Sequence, residues 1–439
     1  MLLLPTQYYA LGGALAVAAT FLILTFLPPE PLARAGRRRL SVGSLPGDGR
    51  AAVSFLSFLF FAALLYAGIE GSRDPLGNPL PLTIWTLLWV GLTLLQGIIG
   101  NLWAWLNPWY GPWRIFAWLS GRRSGWLHLP PTLGYRAALP LFAAFAWFEL
   151  VYIAPDDPQR LAAAAFAYWL FTFGGICLFG YRAWTGRIEF LSVFFRMLSQ
   201  LSVFRAWRSP QGLRLSLGFP GGKLAHIQPL PLSGVALLLL ALSSVSFDGL
   251  MRSFFWLGVI GINPLEFPGR SVVIAENTVG LLLVFLLFCA LFLLAVVIGE
   301  RLAGGRDWRQ AAGLLVWSIT PIALAYHFSH YLTALLVNGQ YALVSLSDPF
   351  FNGWNLFGTG TMHAHTGVAL GAERAWLIWN AQAAAIIGGH VLAVTIAHIT
   401  AFHLHGSGRR AALSQIPMAA LMIGYTVFGL WLLSAPTAG

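Results

Sequence analysis

The stretch VVIAENTVGLLLVFLLFCALFLLAVVI, from Val272 to Ile298, contains a single charged side chain, Glu276. A helix needs about 20 mainly apolar residues to cross the hydrocarbon core of a membrane, so this stretch predicts a transmembrane helix. The whole chain has the same character: of 439 residues, 58% are hydrophobic and 9% are charged, and the mean hydropathy is +0.72. Soluble domains carry about 25% charged residues. The sequence therefore predicts a polytopic integral membrane protein.

Nine further apolar runs have a comparable length, which predicts an all-α fold of about ten transmembrane helices in one membrane domain, residues 1–439. The ten runs are Tyr8 to Leu27, Ala51 to Ile69, Leu82 to Leu106, Tyr135 to Ile153, Leu161 to Phe179, Leu232 to Phe247, Val272 to Ile298, Ala312 to Val337, Ala375 to His398 and Leu413 to Leu433.

The positions of the basic residues predict the orientation. Most of the 26 Lys and Arg residues lie in the odd-numbered loops, for example Arg37 to Arg39 in the first loop and Arg122 and Arg123 in the third. Loops rich in Lys and Arg remain in the cytoplasm. We therefore expect a multi-pass protein of a bacterial inner membrane with both termini in the periplasm. Because these arginines fit topology determinants, the net charge of +11 does not predict a nucleic-acid partner.

Three connecting segments have a pattern of their own. Pro112 to Ser120 and Arg187 to Trp207 place aromatic and aliphatic residues at helical spacing with arginines between them, which predicts amphipathic helices on the cytoplasmic surface. The long segment from Asn338 to Arg374 predicts a structured outer loop, residues 338–374. No separate soluble domain is indicated.

Ionisable residues inside a membrane are costly and are candidates for function. Glu149 and Glu276 are the candidate catalytic bases. Imidazole and carboxylate groups near the outer half of the membrane form a candidate metal site for zinc, copper or iron. The candidate ligands are His327, His330, Asp348, His363, His365, His390 and His398, with Asp248 close to the same level.

A structural role for these residues competes with metal binding, because a buried histidine often bonds a backbone carbonyl. The chain has no HExxH and no CxxC sequence, so the metal prediction rests on composition and not on a motif. A haem held by His327 or His330 together with His390 ranks below a single metal ion. Cys177 and Cys289 lie in apolar runs and indicate small buried side chains.

Several stretches resemble a family of bacterial membrane proteins that takes its name from fenitrothion hydrolase. They occur in order through almost the whole chain and include GNLWAWLNPW from Gly100, WFELVY from Trp147, SVSFDGL from Ser244, AYHFSHYLTALLVNGQY from Ala325, SDPFFNGWNLFGT from Ser347, GGHVLAVTIAHITA from Gly388 and QIPMAALMIGYTVFGLWLL from Gln415. The resemblance implies a many-helix inner-membrane protein that hydrolyses phosphotriester or related ester bonds, with a partner subunit. Its recurrent polar positions fall on Glu149, Asp248, His330, Asp348, His390 and His398.

Three functions follow from these observations. The first is a metal-dependent hydrolase in which a metal-bound water attacks an ester and Glu149 or Glu276 acts as base. The second is a copper-binding, haem-binding or purely structural subunit of a larger redox complex, because the chain has no sizeable soluble domain. The third is a transporter, which ranks last because the sequence shows no internal repeat. The expected partners are the lipid bilayer and either a membrane subunit or a second copy of the chain.

Overall fold

The computed structural model describes residues 6–27, 30–31, 34, 36, 38–45, 49–121, 124–209, 212–224, 227–267, 269–365, 367 and 371–437. Arg37, Arg122 and Arg123, used above for orientation, lie outside these residues, as do positions 366 and 368–370 of the outer loop. The described chain is mainly helical, with one small antiparallel sheet. The all-α polytopic class predicted from the sequence is confirmed.

The helices and strands follow one another in a simple order. The helices are α1 Thr6–Phe26, α2 Arg50–Glu70, α3 Pro79–Ile98, α4 Tyr110–Leu119, α5 Ala138–Leu150, α6 Pro158–Phe179, α7 Tyr181–Arg187, α8 Phe190–Leu198, α9 Leu232–Met251, α10 Phe254–Val259, α11 Ile274–Ala303, α12 Trp308–Ser347, α13 Ala372–His405 and α14 Gly408–Ser434. The strands are β1 Arg39–Leu45, β2 Phe204–Ser209 and β3 Gly212–Gly218. Short turns of helix at Trp103–Leu106, Pro131–Leu133, Pro264–Glu266 and Arg270–Val272 connect them.

Nine helices of the described chain are long and apolar enough to cross a membrane, and each matches one predicted run. The remaining run, Tyr135 to Ile153, contains α5, which has only 13 residues. At 1.5 Å per residue α5 is about 20 Å long, shorter than the roughly 30 Å hydrocarbon core. Helix length alone therefore leaves the tenth crossing undecided.

The sheet supports α5 as the tenth crossing. Its strand order is β1-β3-β2, and β1 pairs with β3 from Arg39↔Gly218 to Leu45↔Leu213. The first and fifth loops must therefore lie on the same side, which requires an even number of crossings between them. Helices α2, α3 and α6 supply three, so α5 supplies the fourth.

Both described chain ends lie on the side opposite the sheet. Ser253, just after α9, forms an isolated β-bridge with Thr437 near the C-terminus. The Tyr9 hydroxyl in α1 donates to Oδ1 of Asn380 near the start of α13. Since α1 ends on the sheet side and α9 begins there, the two ends share one side, as ten crossings require.

Helix α9 lies at the centre of the bundle, with nearly all of its side chains buried against α5, α11 and α12. Helix α11 shows the opposite pattern, because Leu282, Leu283, Leu286 and Leu287 are all exposed. In a bilayer those leucines face lipid. The central position of α9 brings its polar C-terminal end next to three other helices.

The prediction of one interfacial helix from Arg187 to Trp207 is wrong in detail. Helix α8 ends at Leu198, and strand β2 begins at Phe204. The apolar side chains of α8 do not lie on the surface: Phe190, Val193, Phe194 and Phe195 are at most 4% exposed and pack into the core. Helix α4 covers the other predicted amphipathic segment, and there Trp118 is 79% exposed.

Candidate functional site

Three helices bring a group of polar side chains together on the side opposite the sheet. Glu149 comes from α5, Asp248 from the end of α9, and His330 and Tyr331 from α12, with Arg252 one turn beyond Asp248. We call these five residues the outer cluster. The sequence predicted a role for Glu149, His330 and Asp248, and the structure brings these three together.

Asp248 is the centre of the outer cluster. Its side chain is 2% exposed, and its Oδ2 atom lies 2.7 Å from Nε2 of His330. The Tyr331 hydroxyl lies 2.9 Å from the same oxygen. Its other oxygen, Oδ1, forms an ion pair with Nη2 of Arg252 at 3.2 Å. A carboxylate buried in this way is stable because charged and hydrogen-bonding partners surround it.

The Tyr331 hydroxyl joins the two carboxyl groups, since it also lies 3.1 Å from Oε1 of Glu149. A phenol has one hydrogen and can donate it to only one acceptor. Asp248 already faces two nitrogen donors and is the better acceptor. We therefore expect the Tyr331 hydroxyl to donate to Asp248, and the hydrogen of its contact with Glu149 to belong to the Glu149 carboxyl group.

The helix that carries Glu149 is fixed at its C-terminal end by Arg270. Its Nη1 atom donates to the carbonyl oxygen of Glu149 at 2.9 Å and lies within 3.4 Å of two neighbouring carbonyl oxygens. A cation is favourable at the end of a helix where carbonyl groups lack partners. Arg270 thus positions the Glu149 side chain without contacting it.

Arg252 links the outer cluster to the surface. It is 52% exposed at its side chain, whereas His330 is 19% exposed. The Asp248 carboxylate raises the pKa of Arg252 above its ordinary value, so the guanidinium stays charged. The cluster therefore presents a cation and an imidazole toward the surface opposite the sheet, with two carboxyl groups behind them.

His327 lies one turn from His330 but has a different partner. Its Nε2 atom lies 3.0 Å from the carbonyl oxygen of Trp89, and the two rings meet edge to face. The space between His327, Trp89 and Thr93 is a void of only about 10 Å³, room for about one water molecule.

The other predicted ligands lie elsewhere. Nδ1 of His390 lies 2.8 Å from the carbonyl oxygen of Ile386 in its own helix. Asp348 accepts hydrogen bonds from two loop amides, those of Asn352 and Gly353. His398 is buried two turns beyond His390, while His363, His365 and Glu276 are exposed.

Within the described residues, no group of three or more His, Cys, Asp or Glu side chains has an arrangement that could hold a metal ion. The seven proposed ligands do not fit one metal centre, because several of them are already bonded to backbone groups. Binding of zinc, copper, iron or haem stays a prediction.

Sequence reasoning missed Arg252 and Tyr331 as site residues. Arg252 follows Asp248 by four positions, the spacing at which side chains of opposite charge meet on a helix. Tyr331 is the neighbour of His330. The spacing of Asp248 and Arg252 could have been recognised in the sequence. Nothing in one sequence, however, shows that Tyr331 reaches Glu149 on another helix.

A cavity of about 1030 Å³ lies on the sheet side, far from the outer cluster. Arg50 forms one wall: its guanidinium lies 4.1 Å from the Tyr110 ring centre and donates to the Tyr181 hydroxyl at 2.7 Å. Its described lining residues include Arg114, Arg182 and no acidic side chain. This cavity has basic and aromatic walls but none of the acid–base partners of the outer cluster.

The fold and the outer cluster define an integral membrane protein with a buried acid–base group near one surface. Comparison of the chain with protein-family models, with curated proteins and with solved structures gave no match.

Proposed function

We propose that the outer cluster is a general acid–base site and that it serves hydrolysis of an ester substrate arriving from the outer side. The observation that carries the proposal is the 2.7 Å contact between His330 and the buried Asp248. A carboxylate behind an imidazole orients the ring and stabilises its protonated form. The resemblance to the fenitrothion hydrolase family supports an ester, either a phosphotriester or a related bond, as the substrate class.

The hydrogen bonds assign a role to each nitrogen of His330. Asp248 accepts through Oδ2, so Nε2 carries the hydrogen and Nδ1 has the lone pair in the neutral ring. In the proposed reaction Nδ1 takes a proton from water while the water oxygen attacks phosphorus or a carbonyl carbon. The leaving alcohol departs with its bonding electron pair and recovers that proton from the imidazolium. The balance is one water added across one ester bond.

Arg252 and Tyr331 have supporting roles in this reaction. The charged guanidinium of Arg252, half exposed beside Asp248, is available to stabilise negative charge that develops on an ester oxygen. Tyr331 donates to Asp248 from the inner side and also contacts Glu149. Loss of either contact would weaken the orientation of the His330 ring. The ring nitrogens of His330, which exchange the proton, would still be present.

Hydrolysis of a chromogenic aryl phosphotriester by the purified full-length protein tests this proposal. His330→Gln should lower kcat about 100-fold or more, the usual contribution of a positioned general base. Tyr331→Phe should lower it less, because it removes an orienting contact only. The matched control is His363→Gln, since His363 is exposed in the outer loop. Equal activity of His330→Gln and wild type would refute the acid–base role.

A second candidate function is a proton relay in a transporter. The observation that favours it is a further set of polar aromatic side chains deeper in the bundle. The Tyr326 ring stacks on His330 with its centre 6.2 Å away, and its buried hydroxyl has no hydrogen-bond partner among the described residues. The Tyr425 ring centre lies 6.0 Å from that of Tyr326, and the Tyr425 hydroxyl lies 2.6 Å from Oγ of Ser246. Proton uptake into vesicles, followed with a pH-sensitive dye and lost in Tyr326→Phe, would favour the relay over the hydrolase.

We place the sheet in the cytoplasm and both termini in the periplasm. The support is that the arginine-rich first and fifth loops form one sheet, while both described chain ends lie opposite it. Reporter fusions at Thr437 and within the loop after β1 should report opposite sides. A partner subunit or a homo-oligomer stays a prediction, and size measurement of the purified protein in detergent tests it.

A further inference from the structure

The sheet has one apolar face and one basic face, and the register shows which residues belong to each. Leu40, Leu217 and Phe204 are paired across the three strands and form one row. Ser41, Ser216 and Arg205 form the next row. Neighbouring rows of a sheet point to opposite faces. Arg39 pairs with Gly218, two positions from Ser216, and therefore shares the face of Arg205.

The apolar face of the sheet is the exposed one. Leu40 is 71% exposed, Phe204 is 38% exposed and Leu217 is 36% exposed, and Phe219 just beyond β3 is 58% exposed. The opposite face is turned inward, since Arg205 is 7% exposed and Ser216 is 1% exposed. A soluble sheet would show the reverse arrangement. An apolar surface at this position suits contact with lipid acyl chains.

Three cations meet on the inward face: Arg39, Arg205 and Lys223, which we call the basic cluster. Nζ of Lys223 lies 3.5 Å from Oγ of Ser202, at the entry to β2. Nε and Nη2 of Arg205 are buried and have no hydrogen-bond partner among the described residues, and the same holds for Oγ of Ser216. A buried guanidinium without acceptors is costly, because it loses water and gains nothing in return.

The charges of the basic cluster are not compensated within the described chain. Burial, reinforced by the nearby guanidinium groups of Arg205 and Arg39, lowers the pKa of Lys223 to about 8. Burial and the charge of Arg39 lower the pKa of Arg205 to about 10. Both shifts have the direction expected of cations held together without an anion. Arg39 is exposed, so the basic cluster is open to solvent at its edge.

We propose that the basic cluster binds the phosphate group of an anionic phospholipid on the arginine-rich side of the membrane. A phosphate oxygen supplies the acceptors that Arg205 and Ser216 lack, and its negative charge offsets the three cations. The apolar row on the opposite, exposed face favours a lipid over a free ion, because contact of that face with the membrane keeps the sheet, and with it the basic cluster, at the level of the lipid headgroups. Basic groups next to a membrane are the usual determinants of anionic lipid binding.

The test uses purified full-length protein in nanodiscs of phosphatidylcholine with and without phosphatidylglycerol, and in uncharged detergent with inorganic phosphate. Native mass spectrometry counts retained phosphatidylglycerol molecules, and thermal unfolding reports stabilisation. We expect phosphatidylglycerol to be retained and to raise the unfolding midpoint. Arg205→Gln should weaken retention about tenfold, the effect of one lost charge-assisted contact. Arg301→Gln, an exposed arginine of α11 on the same side, is the matched control.

Two results would overturn the lipid assignment. Stabilisation by inorganic phosphate that phosphatidylglycerol does not reproduce would assign the basic cluster to a free phosphate. Equal retention of phosphatidylglycerol by wild type, Arg205→Gln and Lys223→Gln would show that the cluster does not bind phosphate at all. If Arg205→Gln fails to fold, Lys223→Gln carries the test alone, since Lys223 lies at the partly open edge.

Discussion

The outer cluster and the basic cluster both contain buried charged side chains, but only the charges of the outer cluster have compensating partners within the described chain. In the outer cluster Asp248 is in contact with His330, Tyr331 and Arg252, so its charge is compensated within the chain. In the basic cluster Arg205 has no acceptor among the described residues. A compensated charge gives a rigid group with fixed proton positions. An uncompensated charge leaves a place for an anion from outside.

The largest effect should follow from breaking the compensated group. Asp248→Ala leaves Arg252 and His330 without their acceptor, and we expect it to lower the free energy of unfolding by about 3 kcal/mol. Unfolding in mixed detergent micelles measures the difference. Glu276→Ala is the control, because Glu276 is exposed at the start of α11, and it should change stability by less than about 0.5 kcal/mol. Equal effects of the two variants would mean that the outer cluster adds no stability.

Removing a charge from the basic cluster should raise the free energy of unfolding, whereas removing Asp248 should lower it. Arg205→Met replaces a buried cation without acceptors by an apolar side chain that fits a similar space. In lipid-free micelles we expect it to stabilise the protein by about 1 kcal/mol, since apolar replacement of poorly compensated buried charge is often favourable. Arg301→Met, at an exposed position, is the control and should have little effect. A loss of stability in Arg205→Met would show that Arg205 has compensating contacts, and the contrast between the two clusters would disappear.

The contrast also separates what the sequence predicts well from what it does not. The length and hydropathy of the apolar runs were sufficient to predict the transmembrane helices, because a helix in lipid needs a long apolar stretch however it packs against its neighbours. Helix α11, for example, lies within a few residues of the predicted run Val272 to Ile298. The short α5 also matched a predicted run, but only the pairing of β1 with β3 shows that it must cross.

The sheet itself was not predicted, although its strands carry the alternating pattern that favours strands. Phe204 and Arg205 lie on opposite faces of β2, yet the spacing of aromatic residues before them suggested that one helix continued to Trp207. The true helix ends nine residues earlier, at Leu198, and its apolar face is covered by other helices. A pattern of apolar residues gives the buried face of an element without showing whether lipid or protein covers it.

The candidate site was predictable only in part, for a related reason. The free-energy cost of burying ionisable groups in a membrane made Glu149, Asp248 and His330 candidates for function. The same argument also selected His390 and His398, but helix α13 places these two histidines in different surroundings. Whether two polar residues meet depends on the rotation of each helix about its own axis. Pairs on one helix, such as Asp248 and Arg252, are readable from spacing, and pairs between helices are not.

The smallest effect is expected from substitution of Glu149. This substitution tests whether the Glu149 carboxyl group is protonated in the outer cluster. If Glu149 carries the proton that the Tyr331 hydroxyl requires, it is a neutral hydrogen-bond donor, and Glu149→Gln retains both a donor and an acceptor of the same shape. We expect Glu149→Gln to change the free energy of unfolding by less than about 0.5 kcal/mol, in the same micelle measurement. Glu149→Leu, which removes the donor, should cost about 1 kcal/mol, the net value of one hydrogen bond. A large loss in Glu149→Gln would mean that Glu149 is ionised and accepts the Tyr331 hydrogen, which would leave Asp248 with His330 and Arg252 as its partners.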